Sequence, residues 1–277
     1  MSTARPASDQ PSAATLLLEA DLGMPLLISL PHGNAAVLTW PHPLRGTPNQ
    51  DSAAVLRAGP DNALIAVADG MGGTRRGGTA AGILLAHLAD RVPVLPPGQL
   101  LRTAILNGIE SANQFIIKKV PDAGTTLAAV EVNEHTVRPY HIGDSAIMVV
   151  GQRGKLKLQT VSHSPVGIMV EAGALTEEEA LQHNERHIIL NAVGSPDMRI
   201  ELGSTIPLAR HDTVLIASDG LTDNLRLDEI IELVRKGPLE VAVDNLASLA
   251  RARMLKRTAD QPSKPDDLTI VAYRRSG

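Results

Sequence analysis

The chain has 277 residues, a formal net charge of −4 and no cysteine. The absence of cysteine excludes disulfides, thiolate zinc sites and cysteine nucleophiles. The mild negative charge argues against nucleic acid as a main partner. With 43% hydrophobic residues the chain is long enough for one large domain or two small ones. One Trp, two Tyr and one Phe leave the core to Leu, Ile, Val and Ala, and argue against a base-stacking platform.

Residues 1–24 are predicted to form a flexible N-terminal leader, with an irregular first strand as the alternative. Residues 1–13 are rich in Ser, Ala and Pro and lack the basic start of a signal peptide. The apolar run at residues 26–30 is too short to span a bilayer, which requires about 20 apolar residues. The sequence therefore predicts a cytoplasmic protein with no membrane partner.

Strand-like runs follow in clusters, and helix-like runs come in pairs. Apolar periodicity predicts strands over residues 63–68, 125–132, 137–142, 146–150, 155–160, 199–206, 213–218 and 268–274. It predicts helices over residues 76–88, 100–119, 228–236 and 238–256. Thr176, followed by three glutamates, indicates one more helix start within a polar insert at residues 163–192. This order favours an α+β fold with segregated helix layers over βαβ repetition.

Aspartates stand at the ends of several of these strand-like runs. Asp69-Gly70 follows residues 63–68, Asp219 follows 214–218, and Asp144 follows 137–142. Asp51 and the pair Asp266-Asp267 lie beside further strand-like segments. The glycine after Asp69 allows the backbone to approach a charged partner closely. Aspartates at so many strand ends predict one shared cation site.

Carboxylates are hard oxygen ligands that suit Mg²⁺ or Mn²⁺. Without a cation, converging carboxylates repel and raise one another's pKa values. Two divalent ions about 4 Å apart activate water and stabilise a displacement at phosphorus. A single Asp-Gly is usually a turn, and the glycine-rich residues 70–78 lack the Gly-Lys-Ser/Thr ending of a nucleotide loop. The combination and order of the motifs therefore favour phosphoester hydrolysis.

The combination resembles the metal-dependent protein phosphatase family of type 2C, in its bacterial form. The matching motifs are residues 49–52, 69–73, 124–127, 143–145, 217–223 and 266–269. The resemblance runs from about residue 30 to residue 273. It implies a four-layer α/β/β/α sandwich, in which helix pairs flank two antiparallel sheets. It also implies a single domain over residues 25–277, with a flap at about residues 162–195.

The resemblance implies a centre of two divalent ions, Mn²⁺ or Mg²⁺. Asp69 would bridge both ions, and the Gly70 carbonyl would ligate one of them. Asp219 and Asp266 would complete the ligand set of the other ion. The resemblance therefore implies that Asp69, Asp219 and Asp266 are the catalytic residues.

Two further carboxylates belong to the implied ligand set. Asp51 would lie in the outer shell or bind through water. Asp144 matches the residue that holds a third, weaker metal ion in bacterial members of the family. Ala146 departs from the family pattern, because an Arg usually follows Gly-Asp-Ser.

The implied phosphate-binding arginine also departs from the family pattern. The Arg that usually stands five residues before the first Asp is Gly46 here, and Arg45 lies one residue upstream. We predict that Arg45 binds the substrate phosphate, with Arg75 or Arg76 as the substitutes and a solvated Arg45 as the alternative.

The histidines are predicted to be structural. Met71 stands where some relatives carry a histidine acid, so the leaving group would take its proton from water at the ions. His42 and His163 lie near the motifs, and both are predicted to be solvated or structural.

The function predicted from these residues is hydrolysis of phosphoserine and phosphothreonine in proteins, opposing a serine/threonine kinase. One alternative is a catalytically weak regulatory binding module with the same fold. Another is a phosphatase for small phosphoesters or for a single anti-sigma-factor antagonist. The intact set of Asp51, Asp69, Asp219 and Asp266 favours the enzyme, because a module without catalysis would be free to lose it.

Overall fold

The computed structural model describes residues 13–71, 76–94 and 99–276. The described strands are β1 Ala14–Leu18, β2 Leu26–Leu30, β3 Gly33–Trp40, β4 Asp51–Ala58, β5 Asn62–Met71, β6 Gly124–Thr125, β7 Leu127–Val132, β8 Thr136–Ile142, β9 Ala146–Val150, β10 Leu156–Gln159, β11 Glu201–Leu202, β12 Ile206–Pro207, β13 Thr213–Ala217 and β14 Leu268–Arg275. The described helices are α1 Arg76–Ala89, α2 Leu101–Lys119, α3 Pro165–Glu171, α4 Glu177–Ala180, α5 Asp219–Thr222, α6 Leu227–Val234 and α7 Leu239–Leu255.

The strands form two sheets in which every pairing is antiparallel. The first sheet has the order β1-β4-β5-β7-β8-β11, with β12 on β8 and β6 on β5. The second has the order β10-β9-β13-β14-β3-β2. These two sheets confirm the predicted α+β class.

Strand β5 shows why the sheets stack face to face. Ala63, Ile65 and Val67 point into the core between the sheets. The intervening residues 64, 66 and 68 point into a second core, which lies under α1 and α2. Since side chains alternate along a strand, a strand covered on both faces is apolar at every position. The continuous apolar run at residues 63–68 therefore marks a central strand.

Helix pairs cover the outer faces of both sheets. Leu84 and Leu88 of α1 and Ile105 of α2 pack on the first sheet. Ile230 of α6 and Val243 of α7 pack on the second. The predicted α/β/β/α sandwich is the observed arrangement, and the helix bounds differ from the predicted ones by one or two residues.

The N-terminal segment differs from the sequence prediction. Residues 1–12 lie outside the described residues, but β1 pairs with β4 from Ala14↔Leu56 to Leu18↔Ser52. The leader predicted to reach residue 24 is therefore wrong for this stretch, and the alternative of a first strand is the observed one. The physical reason is that β4 offers a free edge, and Leu16 packs against the core under α1 and α2.

The strand predicted over residues 199–206 is split into β11 and β12. Both short strands pair with β8, which carries Pro139 between them. A proline has no N–H to donate, so the ladder is interrupted at that position. Between the two short strands, the N–H of Gly203 donates to the Pro139 carbonyl oxygen at 3.0 Å.

The flap region carries two short helices. α3 is not predicted by the sequence; its cap is Ser164, whose Oγ accepts from the N–H of Gly167 at 2.9 Å. α4 begins where Thr176 predicts it, in a capping box with Glu179. Within the described ranges, each helix is too short or too polar to cross a membrane.

Candidate metal centre

Asp51 and Asp69 lie directly opposite each other on neighbouring strands. Asp51 opens β4, Asp69 stands near the end of β5, and the two residues are paired in register. Asp51 is fully buried. Strand pairing alone therefore places two of the predicted carboxylates side by side at one end of the first sheet.

The backbone of Asp69 is fixed by the two threonines of residues 124–127. The Asp69 N–H donates to Thr126 Oγ1 at 3.0 Å, and the Thr126 N–H donates back to the Asp69 carbonyl oxygen at 2.9 Å. Thr125 Oγ1 also donates to that carbonyl oxygen at 2.9 Å. Thr126 Oγ1 lies 2.6 Å from Ser145 Oγ, which connects this motif to the turn that carries Asp144.

Gly70 follows Asp69 at a point where two backbones touch. A Cβ on Gly70 would lie 2.2 Å from the carbonyl carbon of Gly77 and 2.7 Å from the Gln50 carbonyl oxygen. Only glycine fits this approach between β5 and the start of α1. Gly72, Gly73 and Arg75, which belong to the same motif, lie outside the described residues.

The second sheet reaches Asp51 through Ser218. Ser218 Oγ donates to Asp51 Oδ2 at 2.7 Å and accepts from the Thr269 N–H at 3.0 Å. Ser218 is buried between β13 and Asp219, the first residue of α5. The end of β13 therefore brings Asp219 to the carboxylates of the first sheet.

Asp266 and Asp267 precede β14 and have different surroundings. The Asp267 carboxylate accepts from the N–H of His42 at 2.6 Å and from that of Gln50 at 3.0 Å. It therefore fastens the loop that carries Arg45 to the start of β14. Asp266 remains directed at the cluster, where its Oδ2 lies 3.6 Å from Lys264 Nζ.

The electrostatics show that the predicted carboxylates share one site. Burial, and then the charge of Asp51, raises the pKa of Asp69 well above its usual range, with Asp219, Asp144 and Asp266 adding to the shift. Burial and Asp219 also raise the pKa of Asp144 to about 8 and that of Asp266 to about 7. All five predicted carboxylates thus lie within electrostatic reach of one another.

The donor set fits divalent cations. Asp51 Oδ1 and Asp144 Oδ1 are buried and have no hydrogen-bond partner among the described residues. A buried carboxylate oxygen without a partner is costly unless a cation is bound to it. Hard oxygen ligands of this kind match Mg²⁺ or Mn²⁺.

Two charged residues of the site are not predicted by the sequence. Lys264 Nζ lies 2.5 Å from Asp219 Oδ2 and 2.6 Å from Asp223 Oδ2. Asp223 stands four residues after Asp219, and this spacing is the signal that could have placed it on the same face of a helical turn. Lys264 carries no such signal, because its loop reaches α5 from about 40 residues away in the chain.

Two arginines act on aspartates of the site, Arg45 on Asp267 and Arg186 on Asp223. Arg45 is exposed on its loop, and its charge acts to lower the pKa of Asp267, which burial raises. Arg186 belongs to the flap region and lines a cavity of about 320 Å³ together with Asp144, Asp219 and Asp223. The sequence does not single out Arg186, because nothing in its neighbourhood along the chain points to the site.

His163 has a structural role, as predicted. Its Nδ1 accepts from the Gly143 N–H at 3.0 Å, and its Nε2 lies 2.8 Å from Glu201 Oε2. Since Nδ1 accepts, Nε2 carries the proton and offers no lone pair to a metal. His141, His163 and Glu201 bring their ligand atoms close together, but this tautomer makes them a hydrogen-bonded support for the Gly143 turn.

Comparison with known proteins places this site in a family. A model of the protein phosphatase 2C family matches residues 41–254. The chain belongs to the protein phosphatase 2C family. The matched range includes Asp51, Asp69, Asp144, Asp219 and Asp223. Asp266 and Asp267 lie beyond it and are predicted by resemblance.

Curated relatives resemble the chain over most of their own length. A protein named "Putative protein phosphatase 2C-type" from Streptococcus pyogenes is 34% identical over 199 residues, which are 69% of this chain and 80% of the relative. Protein phosphatase PhpP from Streptococcus pneumoniae is 33% identical over 235 residues, which are 81% of this chain and 91% of the relative.

Solved structures of phosphatases share the fold. The serine/threonine phosphatase of S. agalactiae has a TM-score of 0.75 and 30% identity, with 87% of this chain and 99% of that chain covered. The catalytic domain of the phosphatase PstP, solved with two manganese ions, has a TM-score of 0.70 and 28% identity, with 88% and 98% covered. The predicted sandwich fold and the predicted phosphatase 2C type are confirmed, whereas the roles of individual residues remain predictions.

Proposed function

We propose that this phosphatase 2C protein hydrolyses phosphoserine and phosphothreonine in proteins, using two divalent ions held by its aspartates. The observation that carries the proposal is the convergence of Asp51, Asp69, Asp219 and Asp266 from the ends of both sheets. One oxygen of this cluster, Asp51 Oδ1, is buried without a hydrogen-bond partner among the described residues.

The residues would divide the work according to their positions. Asp69 lies among the other carboxylates and would contact both ions, and the Gly70 carbonyl beside it would bind one of them. Asp219 and Asp266 come from the second sheet and would hold one ion against Asp69. Because Asp51 accepts a hydrogen bond from Ser218, it would orient water or other ligand oxygens instead of binding an ion directly. When bound, the ions supply Lewis acidity and lower the pKa of water that they hold.

The chain's own groups would position the substrate. The exposed Arg45 reaches the site from the loop that Asp267 fastens, and a guanidinium matches a phosphate through two parallel N–H donors. Arg186 lines the cavity on the flap side, beside Asp223. We propose that Arg45 binds the substrate phosphate. Arg186 is the second candidate, because the charge of Arg186 already acts on Asp223.

Mn²⁺ and Mg²⁺ are both compatible with the oxygen ligands, and we propose Mn²⁺ because a relative, PstP, was solved with manganese. The substrate class is proposed from the relatives called serine/threonine phosphatases, and we infer that the protein opposes a cytoplasmic serine/threonine kinase. A regulatory module without catalysis, or a phosphatase for small phosphoesters, would need the same fold. The complete ligand set favours an enzyme over the regulatory module. A phosphopeptide substrate distinguishes a protein phosphatase from a phosphatase for small phosphoesters.

The test is hydrolysis of p-nitrophenyl phosphate and of a phosphothreonine peptide by the full chain with Mn²⁺. We expect both reactions to stop in EDTA and to lose several orders of magnitude in kcat in Asp69→Asn, because the carboxylate that touches both ions is gone. Asp244→Asn, on the exposed side of α7, is the matched control and should keep its rate. Undiminished turnover in EDTA would refute the two-ion chemistry, and hydrolysis of p-nitrophenyl phosphate alone would refute the protein substrate.

A further inference from the structure

Lys264 lies inside the carboxylate cluster, as a cation supplied by the chain itself. Its Nζ lies 2.5 Å from Asp219 Oδ2, 2.6 Å from Asp223 Oδ2 and 3.6 Å from Asp266 Oδ2. The Lys264 side chain is only 21% exposed. An ammonium has three donors and no acceptor, and these carboxylates surround it with acceptors.

The position of this ammonium is set by buried backbone contacts. The Lys264 N–H donates to Asn224 Oδ1 at 2.8 Å, and Asn224 Nδ2 donates to the Lys264 carbonyl oxygen at 2.8 Å. Asn224 is fully buried and follows Asp223 directly. Pro265 further restricts the preceding Lys264 to extended backbone. The turn that carries Asp219 and Asp223 therefore also holds the loop that delivers the lysine.

Asp144 faces the same group of charges. Its Oδ1 is buried without a partner among the described residues, and its electrostatic neighbours are Asp219, Asp223 and Lys264. This is the place where the family resemblance predicts a third divalent ion. The residues do not fit one, since the ammonium hydrogen-bonds Asp219 Oδ2 and Asp223 Oδ2, two of the three carboxylates around that position. Asp266 Oδ2, which belongs to the two-ion centre, lies 3.6 Å from the ammonium, beyond hydrogen-bond distance.

We propose that Lys264 replaces the third metal ion and excludes a divalent cation from the position between Asp144, Asp219 and Asp223. The protein would therefore hold two exchangeable divalent ions, and the Lys264 ammonium would stand in the position of a third. The inference rests on the proposed two-ion centre at Asp69, and it removes the predicted third site at Asp144.

Metal stoichiometry tests this directly, without any activity measurement. The full chain is dialysed to equilibrium against saturating Mn²⁺, and bound manganese is counted by mass spectrometry of the digested protein. We expect two ions in the wild type and three in Lys264→Met, which opens the position without adding a charge. Lys264→Arg keeps the cation and should stay at two. Lys155→Met, in the exposed β9–β10 turn, is the matched control and should also stay at two.

A double variant locates the additional ion. In the Lys264→Met background, Asp144→Asn should return the count from three to two, because Asp144 supplies a ligand to the opened position. Lys264→Gln provides the same comparison if Lys264→Met does not fold, since its amide can still donate to Asp219 and Asp223. Circular dichroism and thermal melting confirm that each variant is folded before its metal is counted.

The outcomes separate this inference from the proposed function. Three ions in the wild type, or two in folded Lys264→Met and Lys264→Gln, would overturn the inference while leaving the two-ion centre intact. One ion in the wild type that becomes two in Lys264→Met would place the ammonium in the binuclear centre and would also overturn it. A wild type that binds no Mn²⁺ would refute the proposed function itself.

Discussion

Without divalent ions, the protein should become less stable as the pH rises from 6.5 to 8. Asp144 and Asp266 titrate in this range in the folded state, because burial and then Asp219 raise their pKa values to about 8 and about 7. Burial also raises the pKa values of Asp51 and Asp69 well above the usual range, and these two groups act in the same direction. In the unfolded chain an aspartate is ionised above a pH of about 5, because its ordinary pKa is about 3.9. The folded state therefore binds more protons, and the stability that these protons contribute is lost as the pH rises through the folded pKa values.

The magnitude follows from those two pKa values. Each retained proton gives a slope of about 1.4 kcal/mol per pH unit. Integrated from pH 6.5 to 8, the loss is roughly 2 to 3 kcal/mol for the two groups together, and Asp144 contributes the larger part. His42, His87 and His163 have lowered pKa values, mainly through burial, and act in the opposite direction. Most of their effect falls below pH 6.5, and between pH 6.5 and 8 the three together offset up to about 1 kcal/mol of the loss.

The assay is urea unfolding in EDTA, followed by the fluorescence of Trp40 at four pH values. Asp144→Asn should reduce the loss between pH 6.5 and 8 by roughly 1 to 2 kcal/mol, because the amide does not titrate. Asp244→Asn, exposed on α7, should leave it unchanged. With saturating Mn²⁺ the trend should reverse, since the ions bind ionised carboxylates. A free energy of unfolding in EDTA that stays constant or increases between pH 6.5 and 8 would refute the raised pKa values of Asp144 and Asp266 in the folded state.

Three further variants test other parts of the site. Ser218→Ala removes the hydroxyl between Asp51 and the second sheet, and should lower the free energy of urea unfolding by about 1 to 3 kcal/mol; no change would contradict that bridge. Arg253 is buried, pairs with Glu229 and donates to the carbonyl oxygen of Asn224 at 2.8 Å. Arg253→Ala should cost about 3 kcal/mol in the same assay, which a loss under about 1 kcal/mol would rule out. Arg45→Ala should raise KM for a phosphopeptide several-fold with little change in kcat. If KM rises only in Arg186→Ala, Arg186 is the residue that binds the substrate phosphate.

The sequence predicts those parts of the site that are encoded locally. Asp69 and Asp219 each follow an apolar run at the end of a strand, so their residue type and their positions are enough to indicate a shared site. Thr176 predicts its helix start for the same reason, because a cap depends on four consecutive residues. Local patterns of this kind are sufficient wherever one strand or one turn sets the position of a side chain.

The parts that the sequence does not predict depend on contacts between distant segments. Lys264 reaches Asp219 across 45 positions of the chain, and only the loop clamped by Asn224 makes that contact possible. The split of the strand predicted over residues 199–206 depends on Pro139, which lies in a different strand. The composition of residues 1–13, rich in Ser, Ala and Pro, favours a disordered leader, but the sequence does not show that the leader stops before residue 14, where pairing with β4 begins.

The metal centre and the alignment of the two sheets depend on the same hydrogen bonds. Asp51 belongs to the first sheet, but its Oδ2 accepts from Ser218 of the second, and Ser218 in turn accepts from the N–H of Thr269. Asp267 adds a second connection, because it fastens the Gln50 N–H beside Asp51 to the start of β14. A shift of one sheet relative to the other would therefore break these bonds and separate Asp69 from Asp219. Cations bound by carboxylates of both sheets would resist the same shift, so metal binding and sandwich stability are expected to be coupled.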